Sequence, residues 1–395
     1  MSLAWISLAA LALAVTLSIV TKVNVGVVSL ALAWIVGVYI GDMNYNAVIG
    51  TFPVALFITL AGVTLLFGMA NVNGTLQRLA ARAVSVCRGN AGIIPVMFFV
   101  VALFLSSIGP GNIATAALLA PMGMAVGAQA GALSPFAPTG VIVNGVMDRI
   151  GLAGHQWTTY GNNLMAHVVI TFIAYLLFGG WKLFTSSRSA DGAEAAAAEP
   201  FERQHWLTIG VLAAVVLGVI IFNLQVGMAA LVGATILSLA KAGDEKEAIK
   251  RMPWGVVLMV CGVTVLIGVL EKTQGMSLFT DLLASVSTPG TVSAIVAFAT
   301  GIVSVYSSTS GVVLPAFLPT VPGLVERLGG GDPMAIASSM VVGGHLVDLS
   351  PLSTIGALCI AALPPGADSR QLFNQLLAWG MSMVVVGTAV CWVLF

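Results

Sequence analysis

Residues 62–68 read Gly-Val-Thr-Leu-Leu-Phe-Gly, and residues 262–268 read Gly-Val-Thr-Val-Leu-Ile-Gly, 200 positions later. The likeness continues in order along the chain. Ser106-Ser107 recurs as Ser307-Ser308 at an offset of 201. Val126-Gly127 and Leu133-Ser134-Pro135 recur as Val342-Gly343 and Leu349-Ser350-Pro351 at an offset of 216. Each match alone is weak, because Gly, Val and Ser are common here. Their shared order marks an internal repeat.

The repeat lies in a chain of 395 residues, 58% hydrophobic and 8% charged. Soluble domains carry about 25% charged residues, so this chain has too little charge to coat a water-facing surface. A soluble enzyme, a nucleic-acid binder and a disordered scaffold are excluded. The net charge is zero, so no pull toward polyanions is implied. Cys87, Cys261, Cys359 and Cys391 show no CxxC spacing and read as packing residues.

A span needs about 20 mainly apolar residues. On that measure helices are expected near 3–21, 25–41, 52–71, 131–150 and 160–180, then near 206–222, 225–240, 254–270, 334–363 and 370–395. The first run lacks a basic leader and is followed by Lys22, so it reads as a span and not as a cleaved signal. Residues 91–130 and 290–325 are apolar but broken by Gly, Pro and Ser, and read as re-entrant hairpins. With the N-terminus outside, twelve of the fifteen Lys and Arg fall in cytoplasmic loops; Arg149, Lys272 and Arg327 fall outside. That bias supports ten crossings with both termini outside. Two halves follow, 1–180 and 206–395, joined by a polar cytoplasmic linker over 181–205.

Five crossings per half is an odd number, so the second repeat must be inverted relative to the first. Inverted repeats place the substrate near the midplane, where discontinuous helices meet. Nine of the sixteen prolines lie in 109–140 and 309–356. Broken backbone at that depth is tolerated where it is buried in protein or lines a cavity. The fold class is therefore an all-α polytopic membrane protein, an inverted repeat of five transmembrane helices plus one re-entrant hairpin per half.

At the first tip, Gly109 and Gly111 permit a tight turn, and Asn112 is expected to cap the returning helix. Ser308, Thr309 and Ser310 offer hydroxyls in the same role. Two helix N-termini facing one cavity form an anion site without arginine. Candidate substrate residues are Ser107, Gly111, Asn112 and Thr115 with Ser308, Thr309, Ser310 and Gly311, the two tips sharing one site. The breaks at 134–140 and 350–356 offer neutral hard oxygens that suit Na⁺, from Pro138, Thr139, Gly140, Ser353, Thr354 and Gly356. His345 and Asp348, three apart on one helical face inside a span, form a possible proton relay or an internal structural pair. Their repeat partners are Gln129 and Ala132. Two amphipathic stretches, 74–89 and 272–286, read as interfacial helices, with Leu76, Leu79 and Val84 toward lipid.

Gly62–Gly68 followed by Asn73-Gly74-Thr75-Leu76, the Gly109–Thr115 tip and the Ser-Pro breaks resemble the malonate-carrier type of dicarboxylate carrier. That type belongs to the ion transporter superfamily, alongside the divalent anion–sodium symporters. The resemblance implies a homodimer working as an elevator, with Na⁺-coupled uptake of a small dicarboxylate of the malonate or C4 class. It implies cation ligands at the tips as well, from Ser106, Gly109, Asn112 and Ser307. The location implied is a bacterial-type inner (plasma) membrane, with lipid as the surrounding partner. Neither tip carries the symporters' Ser-Asn-Thr triplet; Asn112 and Thr115 approximate it in the first, Ser308, Thr309 and Ser310 in the second.

Two other readings compete. A proton-coupled carrier or exporter of another anion would use His345 and Asp348. An intramembrane serine protease would use Ser310 with a distant histidine. No P-loop is present, which excludes direct ATP drive by this chain.

Overall fold

The computed structural model describes residues 2–21, 23–85, 93–109, 111–112, 115, 122–177, 179, 200–361 and 368–395. The linker expected over 181–205 lies outside these residues as far as position 199, as does Cys87. Among the described residues all regular structure is helical. Among the described residues, seven helices are long and apolar enough to cross a membrane: Leu3–Thr21, Val54–Val72, Gln156–Leu177, Arg203–Phe222, Trp254–Lys272, Thr309–Leu328 and Ser369–Leu394. Val25–Ile40, Val226–Leu239, Val292–Tyr306 and Pro333–Val347 are shorter apolar helices.

Helix bounds repeat along the chain as the sequence does. Val54–Val72 and Trp254–Lys272 share bounds 200 residues apart, and so do Thr75–Ser85 and Gly275–Ser285. Leu3–Thr21 and Arg203–Phe222 begin 200 residues apart. The next pair begins at Val25 and Val226, behind Asn24 and Gln225, whose side chains accept from Gly26 N–H and Met228 N–H. Both caps satisfy a donor that the first helical turn leaves open.

Two expected spans prove discontinuous. In place of 131–150, the helix Met122–Gly131 stops, residues 132–137 are irregular, and a new helix runs Pro138–Arg149. In place of 334–363, Pro333–Val347 stops and Thr354–Ala361 follows. Pro135 and Pro351 sit in the gaps, where their missing N–H and ring end a helix. The resumed helix Pro138–Arg149 is too short to span alone at 1.5 Å per residue. In the second hairpin, Val292–Tyr306 is joined to the run Thr309–Leu328 through extended Ser307 and Ser308.

The chain divides into two compact units: Met1–Phe57 with Ile142–Asn163 and Trp254–Phe395, and Ile58–Val141 with Leu164–Pro253. Each mixes the halves of the sequence. In the first unit, Leu3–Thr21 and Val25–Trp34 pack on Trp254–Lys272 and Gly275–Ser285. In the second, Arg203–Phe222 and Val226–Leu239 pack against Val54–Val72 and Thr75–Ser85, where Leu66, Met69, Leu76 and Leu237 are buried together. The first two helices of each half are thus exchanged.

Glycine permits both exchanges. A Cβ at Gly262 would lie 2.1 Å from the Gly26 carbonyl oxygen, and one at Gly62 would lie 2.3 Å from that of Gly227. Backbone-to-backbone contact of this kind gives a membrane helix pair close packing where apolar burial gives little drive. Gly262→Leu should lower apparent stability in detergent by about 3 kcal/mol, read by thermal unfolding. Gly210→Leu, at a position with nothing within 4 Å, should stay within about 0.5 kcal/mol of wild type.

The amphipathic helix Thr75–Ser85 is fastened inside its unit. Arg78 lies 3.3 Å from Glu202 and 2.8 Å from the His205 ring, and Arg82 sits 4.9 Å over Phe201. Leu76, expected to face lipid, is 2% exposed and belongs to the core, because the helix lays that side on the exchanged pair. In the other unit, Arg327 pairs with Asp281 of Gly275–Ser285. Cys261, Cys359 and Cys391 are buried and unbridged.

Candidate functional site

The first half-site lies in the second unit, where Ile93–Ile108 ends. Gly109 has φ +152° and Gly111 φ +75°. A Cβ at Gly109 would fall 1.8 Å from the Phe67 ring, and one at Gly111 would fall 2.8 Å from the Pro138 ring. Only glycine lets this turn seat against both. Pro110 lies outside the described residues. Ser106 donates to the Ala128 carbonyl at 2.7 Å and Ser107 to that of Leu103 at 2.7 Å. Ser134, in the break, donates to the Ser107 carbonyl at 2.6 Å. That bond ties the tip to the broken helix.

Asn112 is 3% exposed and lies within a helical turn, not at the expected cap position. Its side chain reaches across to other helices. Asn112 Nδ2 donates to Gln129 Oε1 at 2.8 Å, and Thr139 Oγ1 donates to Asn112 Oδ1 at 3.3 Å. Thr115 is fully buried, and its hydroxyl has no hydrogen-bond partner. A buried unpaired hydroxyl is costly and calls for a ligand or an ordered water. Pro138 opens its helix at the first position, where its missing N–H is harmless.

The second half-site lies in the first unit and repeats this construction. Ser308 Oγ accepts from Gly311 N–H at 3.2 Å, capping a π-turn over Thr309–Val313. Thr309 donates to the Gly344 carbonyl at 3.3 Å, and Ser310 is 5% exposed. Ser350 donates to the Val305 carbonyl at 2.7 Å, as Ser134 does to Ser107. Ser353 donates to the Ser350 carbonyl at 2.8 Å, and Ser307 is buried. Gly140 and Gly356 match closely: a Cβ at either would meet the carbonyl oxygen of Ser134 or Ser350 at 2.0 Å. The Thr354 side chain is outside the described set.

Asp348 is buried at the C-terminal end of its helix. The helix Pro333–Val347 ends just before Asp348, its C-cap residue, whose φ is −67° and whose N–H donates to the His345 carbonyl at 3.2 Å. His345 is fully buried, with Nδ1 3.0 Å from the Val341 carbonyl. A carboxylate at a helix C-terminus opposes the helix dipole, so Asp348 favours positive charge nearby. Among the described residues no Lys or Arg is buried. No cluster of three His, Cys, Asp or Glu could hold a metal there either.

Two residues of these half-sites escape sequence reading. Ser304 is fully buried with an unpartnered hydroxyl, one turn before Ser307–Ser308, and that spacing was its only signal. Gln129 is fully buried and was visible only as the repeat partner of His345.

Residues 1–148 match the family described as dicarboxylate carrier protein MatC N-terminus. That segment contains the whole first half-site. Among solved structures the chain is similar to the YdaH transporter of Alcanivorax borkumensis, at TM-score 0.57 and 12% identity over 88% of this chain and 87% of that one. The fold is that of a membrane transporter. MtrF of Neisseria gonorrhoeae, assigned to a class of antimetabolite efflux pumps, is similar at TM-score 0.50 and 11% identity, over 88% and 82% of the two chains. No curated protein matches. The apolar helices and these likenesses give a multi-pass membrane protein with a transporter-like fold, and neither the family match nor the similar structures lend support to the protease reading of Ser310.

Proposed function

We propose that this chain is a secondary active transporter for a small dicarboxylate of the malonate or C4 class, driven by Na⁺. The observation that carries the reading is the pair of matching half-sites: buried hydroxyls and an amide around broken helices, without a buried Lys or Arg among the described residues. The family match over residues 1–148 supports the dicarboxylate. Inverted halves, hairpins that return to the face they enter, elevator motion in a homodimer and an inner-membrane location complete the proposal. Both termini then lie outside. The orientation does not depend on whether a hairpin dips or crosses twice, since two limbs leave the parity unchanged.

The test is ligand-dependent thermal stabilisation of the purified protein with mono- and dicarboxylates, in Na⁺ or in choline. A dicarboxylate at one hundred times its Kd should add about 2.7 kcal/mol in Na⁺. Ser310→Ala should weaken that same ligand about tenfold, the loss of one charge-assisted hydrogen bond. Equal stabilisation by monocarboxylates would overturn the substrate class.

A further inference from the structure

Gln129 is fully buried on the helix Met122–Gly131 and is its one hydrogen-bonding side chain between Val126 and Gly131. A buried amide is costly unless it is bonded, and packing alone would be served by Leu or Met. Its Oε1 receives Asn112 Nδ2 at 2.8 Å. In that pairing the Asn112 nitrogen is turned toward Gln129. With nitrogen toward Gln129, the Asn112 oxygen faces Thr139, whose hydroxyl is 3.3 Å away.

Hard cations of the size of Ca²⁺, which Na⁺ shares, take oxygen ligands at about 2.3–2.6 Å. Two oxygens 3.3 Å apart subtend roughly 80–90° at such an ion, the edge of an octahedron. The Thr139 hydrogen rotates away when the ion arrives, and both oxygens keep free lone pairs. A reversed amide would instead present N–H₂ and repel a cation. Thr115, one turn beyond Asn112, adds an unpartnered hydroxyl that is fully buried.

We propose that Gln129 is a positioning residue that holds the Asn112 amide with its oxygen toward a carried Na⁺, making the first half-site a cation site and not an anion donor. The inference rests on the Na⁺-coupled reading above. It also distinguishes the two half-sites. The repeat counterpart of Gln129 is His345, whose Nδ1 is committed to Val341 of its own helix, while Thr309 bonds the Gly344 backbone. Among its described residues the second half-site has no amide lock.

Purified wild type, Gln129→Leu, Gln129→Glu and Asn112→Ala would be compared in two ways: thermal stabilisation by NaCl against choline chloride, and Na⁺-driven uptake of labelled malonate or succinate into proteoliposomes. Gln129→Leu should raise the Na⁺ concentration for half-maximal effect about tenfold, with the maximal rate within about twofold. Gln129→Glu keeps the acceptor and should stay within about threefold of wild type. Should the Leu variant fail to fold, Gln129→Met supplies the apolar arm at closer volume. An unchanged Na⁺ requirement in the apolar variant, or a loss in the Glu variant as large as in the Leu variant, would overturn the assignment. If wild type carries neither acid yet Na⁺ stabilises it more than Gln129→Leu, the substrate reading fails and the role of Gln129 stands.

Discussion

Replacing Gly140 or Gly356 with alanine should cut uptake at least tenfold while the protein still folds in detergent. At each position the new methyl group would sit 2.0 Å from a carbonyl oxygen of the preceding break, Ser134 or Ser350. The obstacle is backbone, so no side chain can swing aside. Either the resumed helix moves off the break or the carbonyl turns, and both disturb the oxygens proposed to hold the cation. Overpacking of this order costs about 1–3 kcal/mol, and about 1.4 kcal/mol taken from binding is already tenfold. Gly161→Ala is the control: it meets nothing within 4 Å and should retain wild-type uptake. Uptake by Gly140→Ala equal to that of the control would show that the break tolerates the methyl group and is not a fixed ligand frame.

The glycines of the breaks were legible because the repeat exposes them. Positions that must stay small in two copies, at one offset, mark a backbone constraint more firmly than either copy alone. The helix starts expected near 25 and 225 fall at Val25 and Val226, but their caps Asn24 and Gln225 were not read from the sequence. Gly109 and Gly111 were legible for another reason, since a Gly-Pro-Gly turn restricts the chain whatever surrounds it.

Partner choice was not legible. The apolar helices here are hydrophobic on every side, so their patterns do not tell lipid from protein. Leu76 illustrates the failure: its amphipathic helix suggested a lipid-facing side, but that side lies on the exchanged helices. The exchange depends on Gly26 meeting Gly262 and Gly227 meeting Gly62, contacts between backbones far apart in sequence. Nothing local encodes them. Asp348, expected inside a span, is buried and closes the helix Pro333–Val347 at the edge of the break, a boundary that Pro351 alone did not place. Gln129 was noticed only by symmetry; its bond to Asn112 spans 17 positions and follows from how the hairpin closes.

Uptake should require Na⁺, and replacing Na⁺ with choline at fixed pH should abolish it. A dianion inside the protein loses most of its hydration, at several kcal/mol per charge after relaxation. Helix N-termini return about 0.3–1 kcal/mol each, or about 2 when partly buried. Among the described residues no buried Lys or Arg makes up the difference. A co-bound cation does, and reciprocal linkage then makes dicarboxylate affinity rise with Na⁺ and Na⁺ affinity rise with dicarboxylate. Thr139→Ala or Thr354→Ala should raise the Na⁺ requirement by removing a neutral oxygen at each break. The rival charge source is the proton, held by His345 or Asp348, which are 0% and 5% exposed. It predicts the opposite pattern: uptake indifferent to choline, steep in pH, and lost in Asp348→Asn. Under sodium coupling Asp348→Asn has a different signature, because a carboxylate at a helix end helps to hold Na⁺ without titrating. Its loss then raises the Na⁺ requirement and leaves the pH profile flat. Measuring uptake against Na⁺ at two pH values in wild type and Asp348→Asn separates the two mechanisms.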